Sequence, residues 1–280
     1  MDVQDTVTHE LAVFLRTRRE RLTPGEVALP AGVRRRRTPG LRREEVAQLA
    51  GVSIDYVVRL EQGRGLNPSR DVLEALARAL RLSGDERAYL FDLARRRSTD
   101  RETEPDAPVR SPTVRLVHDL SPLPAMLLDH RLDLVAWNRE MSALMLDLDA
   151  LPAARRNAME LCLFNPDRRA VYLNREQVLR DGVADLRAAW AAQPDDEQLG
   201  ARIRGWCARS GEFARLWEQR DVRVNGRGRK CLLHPVLGRV NLDFEVLTPL
   251  PDPRERLVIY RAADAAAQAV LDRLGRSDRR

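Results

Sequence analysis

Apolar side chains in the first hundred residues recur every three or four positions, and each run ends at a residue that does not continue a helix. Leu11, Phe14, Leu15 and Leu22 share one face while Arg16, Arg19 and Arg21 occupy others, which predicts an amphipathic helix over 8–22. Arg42–Ala50 and Ser53–Gln62 repeat the pattern on either side of Gly51-Val52, the layout of a helix-turn-helix. Gly51 stands where the first of these helices must stop in a left-handed conformation, and Ser53 can cap the second. Val46, Ala47, Ala50, Val52, Val57 and Leu60 form the inward face. Ser69 caps a fourth helix with Val72, Leu73, Leu76 and Leu80 inward, and Ser83 to Glu86 has the capping-box spacing that opens a fifth. Residues 1–97 are thus expected to form an all-α domain of five helices.

The pattern changes after a proline-marked stretch over 98–113, read as a linker. A short helix over Val114–Leu120 precedes two strand-like runs, Ala125–Leu128 and Leu132–Trp137, joined as a hairpin. Helical spacing then predominates over Arg139–Asp147, Pro152–Leu161, Arg175–Ala192, Glu197–Ala208 and Glu212–Gln219. Val222–Val224 and Lys230–His234 flank Asn225-Gly226, a favoured turn pair, and predict a second hairpin. Val240, Leu242, Phe244 and Val246 alternate with Asn241, Asp243 and Glu245, the period of a half-buried strand. Leu257–Tyr260 adds a strand and Ala265–Leu274 a last helix. Residues 114–280 therefore read as an α+β domain, an antiparallel sheet with helices on one face.

Charge divides the two regions as clearly as periodicity does. The 280-residue chain carries a net charge of +6, and residues 1–97 hold +5 of it. A basic excess beside a helix-turn-helix suits a phosphate backbone, so double-stranded DNA is the expected partner. Ser53, Ile54, Asp55, Tyr56 and Arg59 are left outward on the second helix of the motif, where base edges would be read. The loop before the motif carries Arg34, Arg35, Arg36 and Arg37; these and Arg42 are expected to hold phosphates without reading sequence.

Other chemistries find little support. Cys162, Cys207 and Cys231 are far apart and odd in number, which fits reduced thiols better than a disulfide framework or zinc module. His118, His130 and His234 stand in no catalytic or metal-ligand motif, and Gly226-Arg227-Gly228 reads as a turn, so catalysis is not expected. No apolar run nears the roughly 18 residues that cross a bilayer, and no secretory pattern opens the chain. A cytoplasmic protein with no membrane partner is the expectation.

The segments REEVAQLAGVS, YVVRLEQGRG and PSRDVLEALARALRL resemble the lambda-repressor-like, XRE-type helix-turn-helix superfamily. The inserted LPAGVRRRRTPGLRREEVA resembles its MmyB-like branch. Farther on, PAMLLDHRLDLVAWN, RNAMELCLF, SGEFARLWEQRDVR, His234-Pro235 and GRVNLDFEVL are similar to the ligand-binding domain of MmyB-like regulators. The resemblance runs from about residue 10 to 262 and departs at Arg175, Gly211 and Arg220. It implies a transcription regulator with a PAS-like C-terminal domain, homodimeric on half-sites about one helical turn, roughly 34 Å, apart. A pocket between sheet and helices would draw on Met126, Leu128, Trp137, Met141, Phe164, Trp217 and Phe244, with Asn138, Arg220 and His234 as polar anchors. Its ligand would be a small apolar or fatty-acid-like molecule, with no cofactor. The same residues also suit an ordinary core, and then the C-terminal domain would be a ligand-free dimerisation or protein-interaction module.

Overall fold

Among the described residues, five α-helices build the N-terminal unit: α1 (Val3–Arg21), α2 (Arg43–Ala50), α3 (Ile54–Glu61), α4 (Arg70–Ala79) and α5 (Gly84–Arg96), with a 3-10 turn at Pro24–Val27. The structure is a computed structural model that describes residues 3–27, 40–64, 67–96, 112–145, 147–193, 195–224, 226–250 and 252–276, which fold into two compact units. Most of the expected linker and Arg34 to Arg37 lie outside the described residues.

The N-terminal unit follows its local signals. Gly51 ends α2 at φ 67°, in the left-handed region that costs glycine least. Gly40 has φ 86° and passes so close to the Glu20 backbone that a Cβ there would collide with it. That approach lets Leu41 N–H donate to Arg19 O at 3.0 Å and bury its side chain fully. Ser83 and Glu86 close the expected box, with Ser83 N–H to Glu86 at 2.8 Å and Glu86 N–H to Ser83 Oγ at 3.2 Å. Phe14 of α1 meets Tyr89 of α5 edge to face at 5.0 Å, and the Tyr89 hydroxyl reaches the buried Glu10 carboxylate at 3.1 Å.

In the C-terminal unit α6 (Pro112–Asp119) leads into β1 (Ala125–Leu128) and β2 (Leu134–Trp137). Six helices follow: α7 (Arg139–Leu144), α8 (Ala158–Phe164), α9 (Pro166–Val171), α10 (Arg175–Ala192), α11 (Glu197–Arg209) and α12 (Gly211–Glu218). Strands β3 (Arg227–His234), β4 (Gly238–Leu247) and β5 (Arg256–Ala262) and helix α13 (Ala265–Arg276) complete it. The sheet is antiparallel in the order β2-β1-β5-β4-β3. This is the α+β, PAS-like class expected.

Several local expectations fail. Val222–Val224 forms no strand, and the hairpin into β4 turns instead over Pro235–Leu237, where His234 pairs with Gly238. There the buried His234 ring accepts N–H bonds from Val236 and Leu237 at Nδ1, each 3.1 Å, doing the work that Asn-Gly was expected to do. The helix expected over Pro152–Leu161 is split into a 3-10 turn at Ala153–Arg155 and α8. Asn157 causes the split, because it caps α8 through Glu160 N–H (3.0 Å) and also donates to Asp133 (2.8 Å) in the first hairpin. Helices are not confined to one sheet face either. Val117 of α6 packs on Ala125, Leu127 and Leu257, while Met126 and Leu128, of opposite parity, face a cavity on the other side.

Both sheet edges are covered over part of their length. Leu134 N–H donates to Arg156 O at 2.7 Å beside β2. Leu173 N–H donates to Cys231 O at 2.8 Å, and the Asn174 side chain bridges Cys231 N–H and Arg229 O on β3. Paired edge groups are withheld from association with another chain.

Candidate functional site

The first surface of interest is the outer face of α3. Ser53 Oγ accepts from Tyr56 N–H at 3.1 Å, which fixes the start of the helix. Val57 and Leu60 are buried beneath it, while Ser53, Ile54, Asp55 and Arg59 are exposed and Tyr56 is half-buried. Ile54 and Val58 share a surface concavity with Arg42, Arg43 and Glu44 of the α2 N-terminus. Arg42 is exposed, its guanidinium 3.3 Å from Glu44.

What orients α3 is a buried carboxylate. Glu61, its last residue, accepts from Arg19 Nε of α1 at 2.6 Å and from Arg43 Nε of α2 at 2.7 Å. Arg19 also donates to Leu41 O at 2.9 Å. Burial works against the Arg19 cation, but the bonds and charge of Glu61 outweigh it and raise its pKa. Three helices are tied at one point, and an ion network fully bonded in this way specifies geometry.

The second site is a cavity of about 120 Å³ in the C-terminal unit. Met126 and Leu128 of β1, Phe244 and Val246 of β4 and Val258 of β5 form its sheet wall. Register explains the set: Phe244 pairs with Tyr260 and Val246 with Val258, so their side chains share a face. Met159, Leu161 and Cys162 of α8 and Val178 and Leu179 of α10 cover it. Burial pushes the Cys162 thiol up, which keeps it protonated and apolar. At one side Arg256 and Asp185 pair at 3.0 Å.

One ammonium stands in this wall, which also carries the guanidinium groups of Arg168, Arg229 and Arg256. Lys230 of β3 pairs with Leu242 and therefore points to the cavity side. Its ammonium donates to Tyr260 Oη at 2.8 Å and lies 5.6 Å from the Tyr172 ring centroid and 5.3 Å from those of Phe244 and Tyr260. Burial opposes the charge, and Tyr260 and Tyr172 more than offset it, so the pKa is raised. Burial likewise pushes the Tyr172 phenol up. Among the described residues no carboxylate forms an ion pair with Lys230.

Of the ten residues expected to line a pocket, Met126, Leu128 and Phe244 do so, and the other seven lie elsewhere. Asn138 is consumed by structure: its amide caps α7 at Met141 N–H (3.1 Å) and bonds Ala125 N–H (3.0 Å) and Leu123 O (2.7 Å). His234 Nε2 donates to Ala143 O at 3.1 Å, the tautomer that its accepting Nδ1 requires. Trp137 donates to Asp149 at 3.0 Å, with Arg156 over its ring. Trp217 stacks on Phe213 and Arg187, and Phe164 lies under Arg209. Met141 is wholly buried, and Arg220, two residues past α12, has φ 53° and donates to Glu218 O at 3.0 Å. Lys230, Tyr172 and Tyr260 were missed, although Lys230 is the single lysine of the chain.

Residues 109–274 match the family described as MmyB-like transcription regulator ligand binding domain. Residues 10–90 match a helix-turn-helix domain family. No curated protein matches the chain.

Proposed function

The chain belongs to the MmyB-like transcription regulators, and from this we propose that it is a DNA-binding regulator whose cavity takes a small apolar acid. The observation that carries the ligand chemistry is Lys230. A buried ammonium costs several kcal/mol without an anionic partner, and here its hydrogen bond goes to the Tyr260 hydroxyl rather than to a carboxylate. A carboxylate or similar acid head supplies that partner, while Met126, Leu128, Phe244 and Val258 receive an apolar tail. The cavity volume is close to the roughly 150 Å³ that holds benzene in an engineered protein core, so a ring or short aliphatic chain fits best. A C-terminal unit serving only to dimerise or bind protein would have no use for an ammonium facing this space.

On the DNA side, Ser53, Ile54, Asp55, Tyr56 and Arg59 are the proposed reading set, and Arg42 with Arg34, Arg35, Arg36 and Arg37 the proposed phosphate set. The acting species is a homodimer, and the acid shifts operator affinity through its unequal affinity for two states of the protein. Organic extraction of the purified protein followed by mass spectrometry tests the ligand. A reproducible acid in the extract is expected. An empty extract, together with no thermal shift from any acid of up to eight or so carbons, would contradict the proposal.

A further inference from the structure

Ile54, the first residue of α3, is 52% exposed although Val57 and Leu60 of the same short helix are buried. It shares its concavity with Val58 and with Arg42 and Arg43. Asp55, next in the chain, is exposed as well. Neither side chain can hold a DNA backbone. Isoleucine has no donor, and a carboxylate only accepts and carries the phosphate's own charge. Arg42, on the α2 side, is the group suited to phosphate, which leaves Ile54 and Asp55 over base edges. Among the groups displayed in the major groove, the 5-methyl of thymine is the apolar one.

We propose that Ile54 is a specificity-determining residue that packs on a thymine methyl in the bound site. This rests on α3 being the helix that enters the groove. The contact has a definite size: burying one methyl-sized group is worth about 0.8 kcal/mol, about a four-fold change in affinity.

The test begins by enriching bound sequences from random duplex DNA with the full-length protein. Each thymine of the enriched site is then replaced singly by deoxyuridine, which removes the methyl and leaves the pairing edges intact. The expected result is a loss of about four-fold at one thymine per half-site, absent in Ile54→Ala and partly kept in Ile54→Val. Equal melting temperatures for the three proteins show that the exposed position leaves folding unaffected. A wild-type protein indifferent to every replacement would overturn the proposal, as would an Ile54→Ala protein that keeps the full loss. If Ile54→Ala changes the preferred base while deoxyuridine has no effect, the methyl contact is wrong and α3 remains the reader. If neither Ile54→Ala nor Tyr56→Ala changes the enriched sequence, the α3 reading itself fails.

Discussion

The two units treat their interiors in opposite ways. Beneath α3 the N-terminal core leaves a void of about 10 Å³, lined by Leu15, Val57, Leu60 and Leu76, and its buried Arg19 and Glu61 satisfy each other. The C-terminal unit keeps about 120 Å³ open and points at it an ammonium that pairs with no carboxylate among the described residues. A reading surface must hold its side chains within a fraction of an ångström, and close packing provides that. A sensing domain must instead forgo some packing energy until its ligand arrives. Filled core and open core thus mark output and input before any partner is considered.

Three substitutions press on this contrast, in decreasing order of effect. Removing the Glu61 carboxylate by Glu61→Ala leaves the buried Arg19 with only the exposed Glu20, 3.4 Å away, as an acidic partner among the described residues, so a loss of about 3–5 kcal/mol in urea unfolding of the N-terminal transition is expected. A loss below about 1 kcal/mol would mean that the network does not fix α3. Ala158→Val, by contrast, adds methyl groups at the cavity wall. Stability should change by less than about 1.5 kcal/mol, while binding of hexanoic acid by calorimetry falls at least ten-fold; unchanged binding would place the ligand elsewhere.

The smallest effect concerns Glu140, a buried residue at the start of α7. Burial raises its pKa, but the Arg139 and Ser121 bonds overcome this and hold it below the ordinary carboxylate value. A lowered folded pKa gives stability that is present above about pH 4.3, the ordinary glutamate value, and lost as pH falls through the folded one. The melting-temperature gap between the wild type and Glu140→Gln should therefore narrow from pH 6 to pH 3. A gap that stays constant would assign the role of Glu140 to shape alone.

How much of this was legible in the sequence followed from how local each cause was. Gly51, Ser53 and the Ser83–Glu86 box act within four residues and mark ends of α2, α3 and α5, whereas α1 is expected from apolar spacing alone and begins at Val3, earlier than that spacing shows. Asn225-Gly226, of which Asn225 lies outside the described residues, is also a local signal, and there it misled: Val222–Val224 is no strand, and the chain turns over Pro235–Leu237, organised by the buried His234 ring. The cavity was the least readable part. Tyr172 and Tyr260 come from α9's end and β5, and only the β3–β4–β5 register together with the Tyr172–Leu232 bridge sets them around the Lys230 ammonium. Large residues such as Trp217 and Phe164 drew attention by size, yet they stack on Arg187 and Arg209 outside the cavity wall. The resemblance to MmyB-like regulators identified the kind of domain without pointing to Lys230.

The central claim is that an acid held at Lys230 changes what the DNA-reading unit does. It is tested most directly by measuring affinity for an enriched DNA site at fixed salt while titrating hexanoic acid and, in parallel, hexanol, with wild type and Lys230→Met. The account predicts a shift of about 5- to 150-fold with the acid, a weaker one with the alcohol, and loss of the difference between them in Lys230→Met. Identical DNA affinity at saturating acid, or a Lys230→Met protein that still prefers acid over alcohol, would contradict it.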